Sequence, residues 1–588
     1  MSKRILSIML SLVLVVALLA GCQTETNVKK PSSKPSNTGS TTSETLVVDD
    51  AVSQEETVTS SVIETTVPNI IPGNTTNVFE PTVSEEKESV CLQPEGKPLT
   101  LKVDDFGAKG DGKTDDAEAI YNAMMALTNS PRGSVLLFGA NKTYFYKDNG
   151  APVNSVIYFS NNEDLTVKGD NTLILLGGQS NYYGDITGSK NITIEGLSFD
   201  YSEYKPAFAA TVEKGNVNTD EGTAIVKIDR EIYMSDGEVA VPRCNSFGAV
   251  PAPNNRYHMY LKKYEMIDAK KGLLKVYFDT TNGTTMSRLT NDFIYTYGFV
   301  LPSPYIEKIE RGFSVHENTN FTMRNVNIYS TSRHVFSLQW NEGNFLFENV
   351  NVVRAPYDQG LSYTSWADCY HLIHNRAKYV WKNCKNEWNY DDVFNISSST
   401  HYVSKVYSNK EFVMQPVNMV SAGDYPRVGE TISIINTKTG AFIGRATVRS
   451  VISTKSGYIS RIKVNEELPL LQEGTHIKCW VEDTVAPGSE FINCNFQGTF
   501  RARSDIKFTN CYFHNFRFFI GLDTIDNEGP LSKNIIFRNC EFGGDNAWEI
   551  HGGKKKNGYK LQNIVFENCK NVSNQQMGSN VFDELIFK

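Results

Sequence analysis

Two short stretches of the chain, "FTMRNVNI" at 321–328 and "FLFENVNV" at 345–352, are versions of one pattern. Each contains a strand-like alternation of apolar and polar residues, an asparagine, and a second short strand. Similar segments begin at residues 192, 379, 490, 506, 535 and 564. Self-similarity at a period on the order of 20 to 50 residues is typical of a solenoid. Because no helical pattern separates the strands, the sequence predicts an all-β chain built as a parallel β-helix.

The repeated asparagine also predicts how the coils stack. Stacked coils place equivalent residues one above another, so the asparagines can form a ladder of side-chain amides. The ladder would contain Asn325, Asn349, Asn383, Asn493, Asn510, Asn539 and Asn568. Five cysteines directly follow asparagines of this pattern, namely Cys384, Cys494, Cys511, Cys540 and Cys569. They are interpreted as interior packing residues rather than as a disulfide framework or a redox site.

Two segments interrupt the period. Residues 203–310 and 411–485 contain hairpin-like strands with turn motifs such as "TTNGTT" and "NTKTGAF". We interpret them as two inserted antiparallel β-barrel-like modules. The β-helix would then occupy 96–202, 311–410 and 486–588, with the catalytic coils in the middle segment.

The first 95 residues contain no solenoid pattern. Basic residues, an apolar run and the ending "LAGC" at Cys22 indicate a signal peptide over 1–21 that resembles a bacterial lipobox. A plain membrane anchor is the alternative, although the run is short for a spanning helix. Residues 22–95 are rich in Ser, Thr and Pro, which favours a disordered linker. We therefore expect a protein held by an N-terminal lipid on Cys22 at the extracellular face of the bacterial cell membrane.

Charge and metal-ligand patterns exclude some functions. The net charge is −8 and no basic patch stands out, which argues against nucleic-acid binding. No CxxC motif occurs, and His371 and His374 would face opposite sides of a strand. The sequence therefore predicts no metal site and no cofactor, and it leaves the oligomeric state open.

The segment "VDDFGAKGDGKTDDAEAIYNAMMAL" at 103–127 opens the solenoid. Its glycines permit tight turns, and Thr114 or Asp115 can cap the amphipathic helix that follows. We expect this helix to cover one open end of the solenoid. The stretch resembles the entry motif of pectate-lyase-like right-handed β-helix proteins, many of which act on polysaccharides.

Three aspartates form the candidate catalytic site. Asp391 and Asp392 are adjacent, and Asp368 lies about one coil earlier. Coils stack about 4.8 Å apart, so the three carboxylates should be neighbours, which predicts a raised pKa for at least one of them. Both members of the pair reach one groove only if the chain bends there. A solvated Asp-Asp turn is the alternative. Nearby aromatic residues, Trp340 and Trp366 among them, either bind sugar or belong to the core.

The region 330–550 resembles glycoside hydrolase family 110, the α-1,3-galactosidases. The matching motifs are Asp368 with His371, Asp391-Asp392 with Asn395, and Arg501-Ala502-Arg503, with Asp523 and Glu528 as weaker matches. The resemblance implies an inverting mechanism in which Asp391 is the acid and Asp368 and Asp392 position water. It also implies substrate-binding roles for His371, Asn395, Arg501, Arg503, Asp523 and Glu528, whereas Trp340 and Trp366 are substrate-binding candidates because they lie among the crowded aromatic residues. The chain departs from the family at Ser397 and Ser398, where a histidine is absent unless His401 replaces it.

Three functions remain open from the sequence. The first is an inverting glycoside hydrolase that removes terminal α-linked galactose from extracellular glycans. The second is a polysaccharide lyase or another β-helix glycosidase, although the sequence places no obvious basic partner beside the aspartates. The third is a non-catalytic surface glycan-binding protein. In each case the expected partner is a glycan or oligosaccharide.

Overall fold

The structure is a computed structural model that describes residues 93–147, 155–177, 182–202, 207–228, 261–281, 299–302, 311–331, 333–358, 364–365, 367–389, 391–417, 426–453, 459–520, 528–530, 532–543, 549–552, 562–572 and 585–588. The predicted signal peptide and nearly all of the predicted linker lie outside these ranges, as do Cys22, Trp366 and Asp523. Among the described helices, none has the length and apolar character that crossing a bilayer requires.

Regular structure in the described residues is mostly strand. Strands β1 to β8 are Thr100–Lys102, Asp111–Asp115, Val135–Leu137, Thr143–Tyr146, Ser155–Ser160, Thr166–Leu176, Tyr182–Thr187 and Lys190–Tyr201. Strands β9 to β13 are Ala207–Asn218, Thr223–Ile228, Leu261–Asp268, Leu273–Phe278 and Phe299–Pro302. Strands β14 to β21 are Arg311–His316, Thr319–Ile328, His334–Gln339, Glu342–Val352, Tyr370–Ile373, Lys378–Lys382, Lys385–Asn386 and Asp392–Ser399.

The remaining strands follow in the C-terminal part of the chain. Strands β22 to β27 are His401–Ser408, Glu411–Pro416, Thr431–Asn436, Ala441–Ser453, Ser460–Val464 and Gly474–Val481. Strands β28 to β37 are Glu490–Ile492, Asn495–Arg501, Ser504–Thr509, Tyr512–Ile520, Glu528–Gly529, Lys533–Arg538, Glu541–Gly543, Glu549–Gly552, Gln562–Glu567 and Leu585–Phe587. The helix α1 is Ala117–Thr128, and short 3-10 turns occupy Val103–Phe106 and Glu482–Thr484.

The main body is a parallel β-helix, as predicted. Its strands join into one sheet of 26 strands with mostly parallel pairing between successive coils, for example β16 with β18 and β18 with β21. The asparagine ladder is present: Asn349 donates to Asn325 at 2.9 Å, and Asn568 donates to Asn539 at 2.8 Å. All seven ladder asparagines adopt positive φ between 50° and 56°. Asparagine tolerates this left-handed conformation better than most residues, and it closes the bend between strands.

Stacked aromatic rings fill the interior of the β-helix. Tyr370 stacks on Phe336 at 4.7 Å and on Phe394 at 4.5 Å, and Phe394 stacks on Phe500 at 4.7 Å. These separations match the strand spacing, because each ring occupies the same position in its coil. The five cysteines predicted to pack inside are free thiols, four of them buried and Cys569 partly buried. Their predicted structural role is confirmed.

Helix α1 packs on β1, β3 and β5, the first coils, and buries Ile120, Met124 and Leu127 on that side. This agrees with the predicted end cap. Asp115 accepts the Ala117 N–H at 3.1 Å, whereas the Thr114 hydroxyl donates to Asp111.

Both inserted modules are antiparallel. Strands β9 to β13 form a five-stranded sheet in the order β11-β12-β10-β9-β13, and β22 to β27 close into a six-stranded barrel. The barrel begins at His401 rather than at the predicted 411, because β22 pairs with β23 and β27 and not with a coil of the β-helix. The β-helix segment that holds the aspartates therefore ends at about residue 400.

Candidate active site

The three aspartates lie at the turns that lead into the first strand of successive coils. Asp368 precedes β18, Asp391 forms a bend, and Asp392 begins β21. The Cys369 N–H donates to the Asp392 carbonyl at 2.8 Å, so Asp368 and Asp392 lie in adjacent coils as predicted. One carboxylate oxygen from each of the three lies within 4.8 Å of the others. We call Asp368, Asp391 and Asp392 the carboxylate cluster.

The bend at Asp391 brings both members of the pair to one face. The Asp392 N–H donates to Asp391 Oδ1 at 3.0 Å, and the β21–β29 register shifts between Asp392 and Phe394. These features agree with the predicted local bend. Asp368 and Asp392 are 6% and 4% exposed, whereas Asp391 is half-buried. A substrate that approaches from solvent therefore meets Asp391 first.

Two cationic side chains compensate the buried carboxylates. His371 Nδ1 lies 2.6 Å from Asp368 Oδ2, and Arg501 donates from Nε to Asp392 Oδ2 at 2.5 Å. The His334 ring stacks on His371 with centroids 4.3 Å apart and planes 3° from parallel. Several positive groups thus surround the carboxylate cluster, and charge-assisted hydrogen bonds of this kind are strong.

The pKa of Asp368 shows how these charges act. Burial alone would raise it, but the hydrogen bond and charge of His371, together with His334 and Arg501, hold the pKa below its usual value. Asp368 is therefore not the aspartate with the raised pKa that mutual repulsion predicted. For His371, burial lowers the pKa, but Asp368, Glu528 and Asp392 outweigh burial and raise it. The pair is held as carboxylate and imidazolium.

The strand register aligns three more predicted residues. His371 pairs with Asn395, and Asn395 pairs with Arg501, so the three lie side by side in successive coils. The Asn395 amide donates to Glu528 at 3.2 and 3.3 Å. Strand β32 holds Glu528 there by antiparallel pairing with the end of β21. The structure thus brings His371, Asn395, Arg501 and Glu528 together at the carboxylate cluster.

Other predicted residues lie elsewhere. His334 is the first residue of β16, and Trp340 directly follows the last. The six-residue strand places these two residues on the order of 20 Å apart. It stacks on His374 at 5.7 Å and contacts His316 edge-on. Arg503 lies beyond β29 and is 1% exposed, so protein encloses it. Asp523 and Trp366 lie outside the described residues.

The residues that depart from the family pattern are enclosed by protein. Ser397 and Ser398 are fully buried, and Ser398 Oγ accepts from the Thr484 hydroxyl at 2.9 Å near the barrel. His401 is buried in the barrel strand β22. The serines at positions 397 and 398 therefore affect the packing of buried residues next to the barrel.

His334 is the site residue that the sequence argument missed. It occupies the position in its coil that Asp368 occupies in the next, since the Val335 N–H donates to the Asp368 carbonyl. No motif marks it. Only an alignment of coil positions across the long turn before Asp368 could have identified it.

Within the described part of the chain, two groups have ligand atoms close enough to hold a metal ion: the carboxylate cluster, and His334 with Asp368 and His371. Oxygen ligands of the first group suit Ca²⁺, and nitrogen ligands of the second suit Zn²⁺. In the structure, however, His371 engages Asp368 and Arg501 engages Asp392.

Comparison with known proteins agrees with the fold. Residues 100–361 match the family model described as rhamnogalacturonase A/epimerase, pectate lyase-like. The chain has the pectate-lyase-like right-handed β-helix fold. A polygalacturonase of Persea americana is 36% identical over 129 residues, which are 20% of this chain and 26% of that protein. This β-helix chain therefore spans only about a quarter of that relative.

Solved structures were also compared with this β-helix. The mannuronan C-5 epimerase AlgE4 A-module of Azotobacter vinelandii aligns over 83% of this chain and 100% of its own, at 10% identity and a TM-score of 0.32. The family 28 exopolygalacturonase of Yersinia enterocolitica aligns over 84% and 79%, at 9% identity and a TM-score of 0.30. The fold assignment rests on the strand register and the family model.

Proposed function

We propose that this β-helix is an inverting glycoside hydrolase that removes terminal α-linked galactose from extracellular glycans. The observation that supports it is the carboxylate cluster, in which His371 pairs with Asp368, Arg501 pairs with Asp392, and Asp391 is the most exposed of the three. Glycoside hydrolysis needs one protonated carboxyl group beside an ionised one.

The proposed roles of the three aspartates follow from how exposed each carboxyl group is and from its ion-pair partner. Asp391, the most exposed carboxyl group, protonates the departing oxygen. Asp368 and Asp392, paired with His371 and Arg501, orient and deprotonate water. Asn395 and Glu528 bind sugar hydroxyls at the edge of the cluster.

Carboxylate spacing bears on the stereochemistry. The oxygens lie within 4.8 Å, which is nearer to the roughly 5–5.5 Å of retaining enzymes than to the roughly 6.5–9.5 Å of most inverting ones. The inverting mechanism therefore rests on the family 110 resemblance alone. Proton NMR of the first product decides: β-galactose supports inversion, and α-galactose overturns that part of the proposal.

The activity test uses nitrophenyl α-galactoside and terminal α-1,3-galactosyl oligosaccharides with the wild-type protein, D391N and D392N. We expect sugar release by the wild type, a strong loss on both substrates in D392N, and a strong loss in D391N on the oligosaccharides, because nitrophenolate leaves without protonation. Absence of release at every pH, or unchanged activity in D392N, contradicts the proposal. Binding without turnover on a glycan array favours the non-catalytic alternative.

A polysaccharide lyase is the second candidate, and one observation favours it. The sequence places no obvious basic partner beside the aspartates, yet in the structure Arg501, His371 and His334 surround the carboxylates. A lyase leaves an unsaturated product end that absorbs ultraviolet light. Appearance of that absorbance with oligogalacturonides, abolished by EDTA, would replace the hydrolase proposal.

We also propose that lipid on Cys22 tethers the protein to the outer face of the cell membrane. The "LAGC" motif supports it, and two lipid chains suffice for stable anchoring. Labelling of cells with an alkyne fatty acid should mark the wild type and not C22S. Equal labelling of both proteins contradicts the proposal.

A further inference from the structure

We propose a second glycan-binding site on this β-helix, formed by Tyr357, Tyr329 and Trp388, that holds the part of a glycan chain beyond the sugar that is cleaved. We call these three residues the aromatic platform. The inference deepens the proposed function and rests on it for the identity of the cleaved unit.

Tyr357 is the central observation. Its side chain is 57% exposed, although a large apolar ring of this kind is ordinarily covered. Its hydroxyl nevertheless donates to Asp200 Oδ2 at 2.8 Å, and Asp200 is fully buried. The ring is therefore exposed to solvent and anchored from below.

The anchor is itself well fixed. The Ser330 hydroxyl donates to Asp200 Oδ1 at 2.5 Å, and the Tyr183 hydroxyl donates to the Ser330 carbonyl at 2.5 Å. Burial and the Asp200 charge raise the pKa of Tyr357, so its hydroxyl remains a donor. A buried carboxylate that serves to position an exposed ring indicates that the orientation of the ring matters.

Tyr329 and Trp388 extend the surface. The Tyr329 ring lies 5.9 Å from Tyr357 at 83°. Tyr329 belongs to the turn between β15 and β16, and Tyr357 to the turn between β17 and β18. The Arg354 guanidinium, in the same turn as Tyr357, lies 4.4 Å from the centroid of the Trp388 ring in the turn between β20 and β21. Such stacking fixes the indole and leaves a mixed aromatic and polar surface.

These turns are continuous with the carboxylate cluster. Parallel bridges join Thr331 to Ser365 and Ser365 to Asn389, so the turns stack coil upon coil, and Asp391 lies two residues after Asn389 in the last of them. Asp200, which anchors Tyr357, lies about three coil spacings from the turn that holds Asp391, on the order of 14 Å along the axis. That span fits a few sugar units of one chain.

The chemistry favours a sugar chain as the occupant. Separate aromatic rings with a guanidinium beside them match pyranose rings, which have an apolar face and polar edges. A protein partner would more often require a contiguous apolar patch. The terminal sugar would lie at Asp391, and the rest of the chain would follow the platform toward Tyr357.

Enzyme kinetics with Y357A test this. For α-galactosyl oligosaccharides of increasing length, we expect KM to rise about twofold to tenfold, the range of one aromatic contact. The rise in KM should be larger than the rise for nitrophenyl α-galactoside and should grow with chain length, while kcat changes less than KM. Y357F keeps the ring, so its KM should rise less than that of Y357A. The control Y407A removes a tyrosine that is 41% exposed on the barrel and should leave both substrates unaffected.

Calorimetric binding separates this proposal from the proposed function. In a D391N background, α-galactosyl oligosaccharides and oligogalacturonides are titrated with Tyr357 present or replaced by alanine. Binding that weakens with Y357A supports the platform even if no substrate is ever hydrolysed. If neither series binds, or if Y357A leaves binding and the length dependence of KM unchanged at an unaltered melting temperature, the platform proposal is wrong.

Discussion

Arg501 donates from Nε to Asp392 Oδ2 at 2.5 Å, although the two residues are 109 positions apart in the chain. The six-stranded barrel lies between them in sequence. The chain leaves the β-helix after β21, builds the barrel, and returns as β28 and β29, which lies beside β21. The ion pair therefore forms only because the barrel returns the chain in the register that pairs Asn395 with Arg501.

Replacement of Arg501 by alanine leaves the buried Asp392 carboxylate without this partner. Breaking a buried pair in this way costs about 3–5 kcal/mol, and the 25% exposure of Arg501 favours the lower end. Urea denaturation measures the change in the free energy of unfolding. The matched control R538A breaks an exposed pair between coils with Glu567 and should cost less than about 1 kcal/mol. Equal effects of the two variants would contradict a structural role for the Arg501–Asp392 pair.

His371→Gln should move the acid limb of the pH profile of kcat/KM upward. The pKa of Asp368 is lowered by His371, so removal of the imidazolium makes this buried carboxyl group harder to ionise. A profile whose acid limb stays in place would show that Asp368 is ionised for another reason or is not required.

The same pair sets a pH window for stability. The raised pKa of His371 contributes stability that is complete below its unfolded value near 6.5 and is lost as pH rises through the folded value. The lowered pKa of Asp368 contributes stability above its unfolded value near 3.9, lost as pH falls through the folded value. The pair should thus stabilise the protein most between about pH 4 and 6.5. The difference in urea midpoint between the wild type and H371Q should be largest inside that window and smaller outside it.

Asp391→Asn should lower kcat by about 10²- to 10⁴-fold, the usual effect of losing a general acid. Because Asp391 is half-buried at a bend, the variant should keep its melting temperature within a few degrees. The control D220N changes an exposed aspartate of the first inserted module and should retain full activity. Substantial activity in D391N on substrates with poor leaving groups would assign the acid to another residue.

Phe394→Ala should lower the free energy of unfolding, because Phe394 packs in the interior of the β-helix next to the site. The ring is fully buried, stacks on Tyr370 and Phe500, and lies in the strand beside Asn395. Truncation of such a side chain costs about 3–5 kcal/mol. F587A, at a ring that is 42% exposed, is the matched control and should cost much less. If both variants unfold at the same urea concentration, the interior stack contributes little to stability.

The asparagine repeat shows why much of this fold was predictable. Each asparagine sits at a bend that needs positive φ, and each coil repeats the same alternation of interior and exterior residues. Local requirements of this kind are present in every copy, so the β-helix, its ladder and its packed cysteines follow from pattern. The stacking of Asp368 beside Asp392 follows from the same period.

The barrel boundary and the partners of the carboxylates were less predictable. Strand β22 has the alternation of any strand, and only its pairing with β23 and β27 assigns it to the barrel. Trp340 resembles a sugar-binding aromatic in sequence, yet it lies against His374 at the far end of its strand.

By itself, the sequence determined the repeat, the interior of the β-helix and the meeting of three aspartates, because these depend on spacing within a period. Only the tertiary structure decided that His334 stacks on His371, that Arg501 neutralises Asp392, and that Tyr357 is anchored to Asp200. Those contacts join residues across long turns and a whole inserted barrel, where register is set by packing and not by any local preference of the chain.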